Sequence, residues 1–359
     1  MNPLSDYLRD EIATNGPMTV AAFMAAAMSH PEHGYYMKRD PLGREGDFIT
    51  APEVSQMFGE LIGLWCVAAW QQMGRPAELM LVELGPGRGT LMADALRAMA
   101  TVPACRDAVD IHLVEISPPL KAAQAKSLDG NRITWHESLA TAPEKPMLLI
   151  TNELYDALPI HQFLRTAKGW RERLVDVAPE GFRFVLAPLT TPATALVSGV
   201  ANGAPLGSVA EVSAVAISLT HEIGRRIAAL GGLALIIDYA SDQGPIGDTL
   251  QAVRRHGHHH VLDDPGEADI SARVDFTTLI RVAAEAGAQA FGPVNQGDFL
   301  GALGIEARAE ILSRNATEKQ RADISQALER LVGPGEMGCL FKVLAIAQRD
   351  APPPIGFHD

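Results

Sequence analysis

Glycines at alternate positions follow an acid in the segment LMLVELGPGRGTLMADALR, residues 79–97. The turn that they predict consists of Gly85, Pro86, Gly87 and Gly89. Glycines let a ligand approach the backbone, and the helix predicted after them offers free N–H groups. A phosphate loop needs a Lys that is missing, and Thr90 replaces the third small residue of a dinucleotide fingerprint. Glu83 suits the cationic end of S-adenosylmethionine. We therefore predict that cofactor here; a tight turn without a ligand is the alternative.

The next two strands predict further contacts with the same cofactor. HLVEIS places Glu115, followed by Ile116, at a strand end, where a carboxylate accepts hydrogen bonds from a ribose diol. RITWHESL ends in Trp135, His136 and Glu137, which offer an apolar face and a polar edge to adenine. The alternatives are a solvated strand-end acid at residue 115, and a core Trp beside a surface Glu.

A fourth strand leads into acids suited to an acceptor group. In ITNELYDALPIHQF, Asn152, Glu153 and Asp156 follow the strand, where a doubly wound sheet places its reacting groups. Such acids orient a cationic nitrogen and remove its proton. We predict these three as catalytic residues; helix capping by Asn152 and Asp156 is the alternative.

Alternating strand and helix patterns position these residues. From residue 78 the rhythm predicts a parallel sheet with helices on both faces. Residues 1–75 are predicted to be helices around a long loop, and residues 76–359 one domain. Two insertions are predicted in that domain, at about 160–215, which begins as an antiparallel meander, and at about 241–275.

Composition excludes several classes of protein. The net charge of −13 disfavours nucleic acid and anionic lipid as partners. No apolar run is long enough for a membrane span, and the first residues resemble no targeting peptide, so we predict a cytoplasmic protein. The His-rich segment 256–260 lacks helical or CxxC spacing; we expect an exposed loop there and no metal site.

The chain resembles the mitochondrial complex I assembly factor methyltransferases and their bacterial relatives. The motifs that carry the resemblance span nearly the whole chain: GREGDFITAPEVSQMFGELIG, ELGPGRGTLMADALR, HLVEISPPL, TNELYDALPIHQF, IIDYAS, GDTLQAVRRH and QGDFLGALGIEAR. The resemblance implies a Rossmann-like Class I methyltransferase fold and arginine methylation of a protein, such as a complex I subunit. Arg273 stands where the family pattern has a histidine, so a role for that histidine does not transfer.

The resemblance also assigns a role to the loop before residue 51. Gly46, Asp47 and Thr50 are expected to fold over the cofactor as a lid that excludes water. A simple connector between helices is the alternative. We therefore expect an S-adenosylmethionine-dependent protein arginine methyltransferase. The alternative is a non-catalytic complex I assembly protein that retains the cofactor fold. The apolar helix near residues 54–73 fits a homodimer interface or a core.

Overall fold

The computed structural model describes residues 2–38, 49–197, 203–240 and 244–357. The chain forms two compact units. The minor unit comprises Met1–Phe48, Tyr155–Leu219 and Ser241–Leu279, and the major unit comprises Ile49–Leu154, Thr220–Ala240 and Ile280–Asp359. The predicted division at residue 75 stays a prediction. No helix in the described ranges is both long and apolar enough to cross a membrane.

The helices and strands are numbered along the chain. The helices are α1 Pro3–Asn15, α2 Val20–Ser29, α3 Tyr35–Lys38, α4 Ala51–Val54, α5 Gln56–Gln72, α6 Thr90–Met99, α7 Pro103–Ala108, α8 Pro118–Ser127, α9 Ala214–Leu230, α10 Phe276–Glu285, α11 Gln296–Ala302, α12 Ile305–Ser313, α13 Glu318–Val332 and α14 Met337–Leu340. The strands are β1 Met18–Thr19, β2 Leu79–Leu84, β3 Val109–Val114, β4 Ile133–His136, β5 Met147–Asn152, β6 His161–Thr166, β7 Gly169–Ala178, β8 Gly181–Leu186, β9 Val209–Val212, β10 Gly232–Tyr239, β11 Gln251–Arg254, β12 Gly257–His259, β13 Asp269–Ser271, β14 Ala288–Asn295 and β15 Phe341–Gln348.

The major unit is built on a seven-stranded sheet in the order β14-β15-β10-β5-β2-β3-β4. The strands from β10 to β4 pair in parallel, whereas β15 pairs antiparallel with both β10 and β14. Six strands therefore share one direction, and β15 reverses between two of them. The α/β fold with a helical N-terminal region is confirmed, and the sheet is mixed because β15 runs against its two neighbours. A strand's direction depends on which neighbour it joins, which its own residues do not specify.

The central strands of this sheet are buried in the core of the major unit. Every residue of β2 and β5 is buried, as expected for parallel strands covered on both faces. Helices α5 and α6 pack on one face, where Phe58, Trp65 and Met92 are fully buried. The apolar side of α5 thus forms core, and a homodimer stays a prediction.

The minor unit contains the antiparallel meander. β6, β7 and β8 pair in sequence order, with turns at residues 167–168 and 179–180, and β1 and β9 extend the sheet. The His-rich segment differs from the expected loop: Gly257–His259 is strand β12, which pairs with β11. Two of the three residues of β12 are histidines, so its sequence has no alternation of apolar and polar residues that would predict a strand. Among the residues that the structure describes, no group of three or more His, Cys, Asp or Glu side chains could hold a metal.

Candidate cofactor and acceptor site

The turn between β2 and α6 has a backbone that favours glycine. Gly85, Gly87 and Gly89 have φ of 62°, 53° and 81°. A Cβ added to Gly85 would lie 2.9 Å from Leu154 Cδ1, and one added to Gly89 would lie 3.4 Å from Gln124 Cα. Both neighbours approach the turn closely, so the glycines provide both the left-handed backbone and the space.

Strand register places the polar side chains of the site on one face of the major unit's sheet. Glu83 is opposite Leu113 of β3 and Ile150 of β5 in parallel pairing. Residues two positions further along a strand point to the same side. The same-face set is Glu83, Glu115, Trp135 and Asn152.

Glu83 is a buried acid at the end of β2. Its side chain is 2% exposed, and its Oε2 has no hydrogen-bond partner among the residues that the structure describes. Burial, and secondarily the charge of Glu115, raises the pKa of Glu83 to about 8. Without a ligand the carboxyl therefore keeps its proton near neutral pH. A cation bound beside it would instead favour the ionised form.

Glu115 lies just beyond β3 and is held at both oxygens. Oε1 accepts a hydrogen bond from Ser117 N at 2.7 Å, and Oε2 accepts one from Gln124 Nε2 at 3.1 Å. Burial raises the pKa of Glu115, and these hydrogen bonds oppose the rise. The carboxylate is thus fixed in orientation, while the adjacent Ile116 is exposed.

The end of β4 divides its side chains between two faces. Trp135 Nε1 donates to Gln124 Oε1 at 2.8 Å on the face that carries Glu115. His136 pairs with Val114 in the register and lies on the other face, where its Nε2 is 2.9 Å from His112 Nδ1. Glu137 is exposed. Trp135 therefore shares a face with the two acids and His136 does not, and an adenine contact by His136 or Glu137 stays a prediction.

Asn152 and Glu153 end β5 in a constrained arrangement. Glu153 has φ of 52°, a left-handed backbone that costs a non-glycine residue free energy. Its Oε1 accepts from Ala51 N at 2.8 Å and from Asn152 Nδ2 at 3.1 Å. Asn152 Oδ1 is buried without a hydrogen-bond partner in the described part of the chain. The surrounding structure thus holds Glu153 in one orientation, which indicates a functional side chain.

The remaining predicted residues lie in three places. Asp156 belongs to the minor unit, in a 3₁₀ turn at Tyr155–Ala157, and its carbonyl accepts from Ala272 N at 2.9 Å. Thr50 precedes α4 at its N-cap position without a side-chain capping hydrogen bond. Gly46 and Asp47 lie outside the described residues, so the lid prediction on them has no structural outcome here.

Three residues of the site were not among the predicted site residues, and two of them, Gln124 and Glu53, had no sequence interpretation of their own. Gln124 contacts the glycine turn, Glu115 and Trp135, yet in sequence it is an ordinary polar residue of a helix. Glu53 Oε1 accepts from Thr90 Oγ1 at 2.5 Å, which ties α4 to the glycine turn. Asp238 is fully buried and its Oδ2 accepts from Leu154 N at 3.1 Å. The APE motif and the strand-end position of Asp238 were the available signals for the last two.

Comparison with protein-family models gives one match over most of the sheet and the minor unit. Residues 61–294 match a family described as "Putative S-adenosyl-L-methionine-dependent methyltransferase". The matched region includes the glycine turn and every described site residue from Glu83 onward.

Curated relatives match over nearly the full chain. The zebrafish (Danio rerio) protein named protein arginine methyltransferase NDUFAF7, mitochondrial, is 38% identical, covering 95% of this chain and 86% of that protein. The human (Homo sapiens) protein of the same name is 37% identical, covering 96% and 83%.

A solved structure provides the fold and the ligand of a relative. A COG1565 superfamily member from Burkholderia thailandensis, crystallised with S-adenosyl-homocysteine, has a TM-score of 0.85 and 28% identity, covering 98% of this chain and 93% of that one. A native structure from the same organism has a TM-score of 0.83 and 27% identity over the same shares. The glycine turn and the unpartnered buried acceptors fit such a ligand, so the predicted cofactor is confirmed. This chain belongs to the family of S-adenosyl-L-methionine-dependent methyltransferases whose relatives include the protein arginine methyltransferase NDUFAF7.

Proposed function

We propose that the enzyme methylates an arginine side chain of a protein, with the cofactor on the Glu83 and Glu115 face of the sheet and the acceptor beside Glu153. The observation that carries the site is the pair of buried acceptors, Glu83 Oε2 and Asn152 Oδ1, on one face of adjacent strands. Buried acceptors without partners cost free energy, so this position favours a ligand that brings donors or positive charge.

The cofactor's parts match different residues of the major unit. The glycines at 85, 87 and 89 give the turn its left-handed backbone, and Glu115 has a fixed carboxylate for a diol. Trp135, on the same face, offers a ring to adenine. Bound S-adenosylmethionine supplies an electrophilic methyl group on its sulfonium. Glu83 next to a cation would ionise, so its raised pKa in the free protein fits a charge that arrives with the ligand.

Glu153 is the proposed acceptor carboxylate. A guanidinium keeps its charge in water, with a pKa above about 12, so its proton must leave as the methyl arrives. The cofactor would supply the methyl group and leave as S-adenosylhomocysteine, and the Glu153 carboxylate would accept the proton that the guanidinium nitrogen releases. Ala51 N and Asn152 Nδ2 fix that carboxylate through Oε1, and a reaction that depends on orientation gains from a group held in one position. The catalytic role of Asp156 stays a prediction.

The nature of the acceptor rests on the relatives. Their name states protein arginine methylation, and the family resemblance points to a respiratory complex I subunit. The net charge of −13 is compatible with a cationic segment as substrate. The relatives are named mitochondrial, and a cytoplasmic location for this chain stays a prediction.

The test is methyl transfer by Glu153→Gln. Proteins extracted from a strain lacking this gene would be incubated with purified enzyme and tritiated S-adenosylmethionine, and the hydrolysate analysed for methylarginine. We expect the wild type to label arginine, and the variant to bind S-adenosylhomocysteine normally but label at least about 100-fold more slowly. Glu310→Gln, an exposed acid of α12, is the matched control.

Three outcomes would overturn parts of the proposal. Full labelling by Glu153→Gln removes the role of that carboxylate. Cofactor binding by the wild type without labelling of any protein favours the non-catalytic assembly role. Label recovered on a residue other than arginine would keep the methyltransferase and change its acceptor.

A further inference from the structure

Gln124 connects the parts of the cofactor site that come from three separate segments. It lies in α8, its side chain is fully buried, and it forms three hydrogen bonds. Nε2 donates to the Gly87 carbonyl at 2.8 Å and to Glu115 Oε2 at 3.1 Å, and Oε1 accepts from Trp135 Nε1 at 2.8 Å. One amide therefore contacts the glycine turn, the end of β3 and the end of β4.

The chemistry of these partners fixes which way the amide points. The indole nitrogen of Trp135 only donates, so the oxygen of Gln124 must face it. The Gly87 carbonyl only accepts hydrogen bonds, and so does the Glu115 carboxylate when it is ionised. The two N–H groups of the Gln124 amide therefore face these two acceptors. Both donors and the acceptor are used, and a flipped amide would lose all three hydrogen bonds.

Helix α8 as a whole supports the Glu115 carboxylate. Ser117, the N-cap of α8, donates its backbone N–H to Oε1, while Gln124 donates to Oε2. The backbone of α8 also approaches the glycine turn, since Gln124 Cα would lie 3.4 Å from a Cβ at Gly89. Removing the Gln124 amide would take away the hydrogen bond to Glu115 Oε2, so the Glu115 carboxylate could rotate about its remaining hydrogen bond at Oε1. It would also leave the Gly87 carbonyl without this donor.

We propose that Gln124 is a positioning residue that orients Glu115 and the Gly87 carbonyl for the ribose end of the cofactor. This inference rests on the proposed function, which assigns the ribose diol to Glu115. Gln124 acts through Glu115 and does not itself need to touch the ligand. Its loss should therefore weaken the recognition of the diol more than the recognition of the rest of the cofactor.

The test compares two ligands on one variant. S-adenosylhomocysteine and its 2′,3′-dideoxyribose analogue would be titrated by calorimetry against wild type and Gln124→Met, which keeps the side-chain length without the hydrogen bonds. We expect S-adenosylhomocysteine to bind Gln124→Met about 10-fold more weakly, and the dideoxy analogue to lose less than about twofold, since a hydrogen bond to a charged group is at stake. Gln326→Met, at an exposed position of α13, is the control.

The outcomes separate this inference from the proposed function. Equal losses for both ligands, or no loss for either, would overturn the positioning role. A wild type that binds both ligands equally would instead remove the assignment of the ribose to Glu115, and the inference with it. If Gln124→Met fails to fold, Gln124→Asn replaces it, since that change keeps an amide but withdraws it by one methylene from its three partners. It should show a smaller loss that again depends on the diol, and a loss independent of the diol would refute the inference.

Discussion

Replacing Glu83 by glutamine should stabilise the ligand-free protein, and increasingly so as the pH rises. Burial raises the pKa of Glu83 from 4.5 to about 8. Between these values the folded protein holds a proton that the unfolded chain has lost, so unfolding becomes easier as the pH increases. From about pH 5.5 to about pH 8 this titration lowers the free energy of unfolding by about 3 kcal/mol. A glutamine side chain does not titrate, so the variant escapes that loss.

Urea unfolding followed by tryptophan fluorescence at about pH 5.5 and about pH 8 measures this difference. The stability of Glu83→Gln relative to wild type should rise by about 3 kcal/mol between the two conditions, whereas Glu310→Gln should follow wild type at both. A relative stability that is the same at both pH values would refute the argument, because it would mean that Glu83 is ionised in the folded protein. Glu83→Gln should also bind the cofactor poorly, because it lacks the carboxylate proposed to face the cation, and a gain in stability at a functional site often comes with a loss of function.

Further predictions concern ligand binding and packing in the major unit. Cofactor affinity of the wild type should rise with pH up to about 8, because a cation binds the ionised form of Glu83 and releases its proton; calorimetry in buffers of different ionisation enthalpy measures that release, and its absence would contradict the pKa assignment. Gly85→Ala should lower the free energy of unfolding by about 2 kcal/mol and weaken binding of S-adenosylhomocysteine, since its Cβ would be crowded. Thermal unfolding measures the first effect and calorimetry the second. Gly130→Ala, which has a positive φ in open space, is the control, and an equal loss of binding in both variants would count against crowding. Arg308→Met should lower the free energy of unfolding by about 2 kcal/mol, because it removes two hydrogen bonds to the buried Glu60. In urea unfolding, the double variant with Glu60→Leu should be more stable than Arg308→Met alone. A loss in the double variant equal to the sum of the two single losses would argue against the pairing.

Sequence patterns predicted the strands of the site because each strand is an apolar run that ends in a polar residue of the site. The apolar runs that end at Glu83, Glu115 and Asn152 are buried parallel strands, and the register brings their ends to one edge. Strand alternation relates residues of one strand only, so the common face of these three follows from the register between the strands and not from the sequence. Alternation within β4 alone would have separated His136 from Trp135, and the structure has the two on opposite faces.

What the sequence could not provide is contact between segments that are distant in the chain. Gln124 is an ordinary helix residue within PPLKAAQAKSL, and its role exists only where α8 meets the glycine turn and β4. The same holds for Glu53, whose partner Thr90 was noted only as a departure from a dinucleotide fingerprint. The reversed direction of β15 likewise depends on its insertion between β10 and β14.

The most direct measurement of the site is a calorimetric titration of S-adenosylhomocysteine into wild type, Glu115→Ala and the exposed control Glu180→Ala. We expect wild type and the control to bind alike, and Glu115→Ala to bind at least about 100-fold more weakly, because it loses the carboxylate proposed to hold the ribose diol. Unchanged binding by a folded Glu115→Ala would place the cofactor's ribose elsewhere.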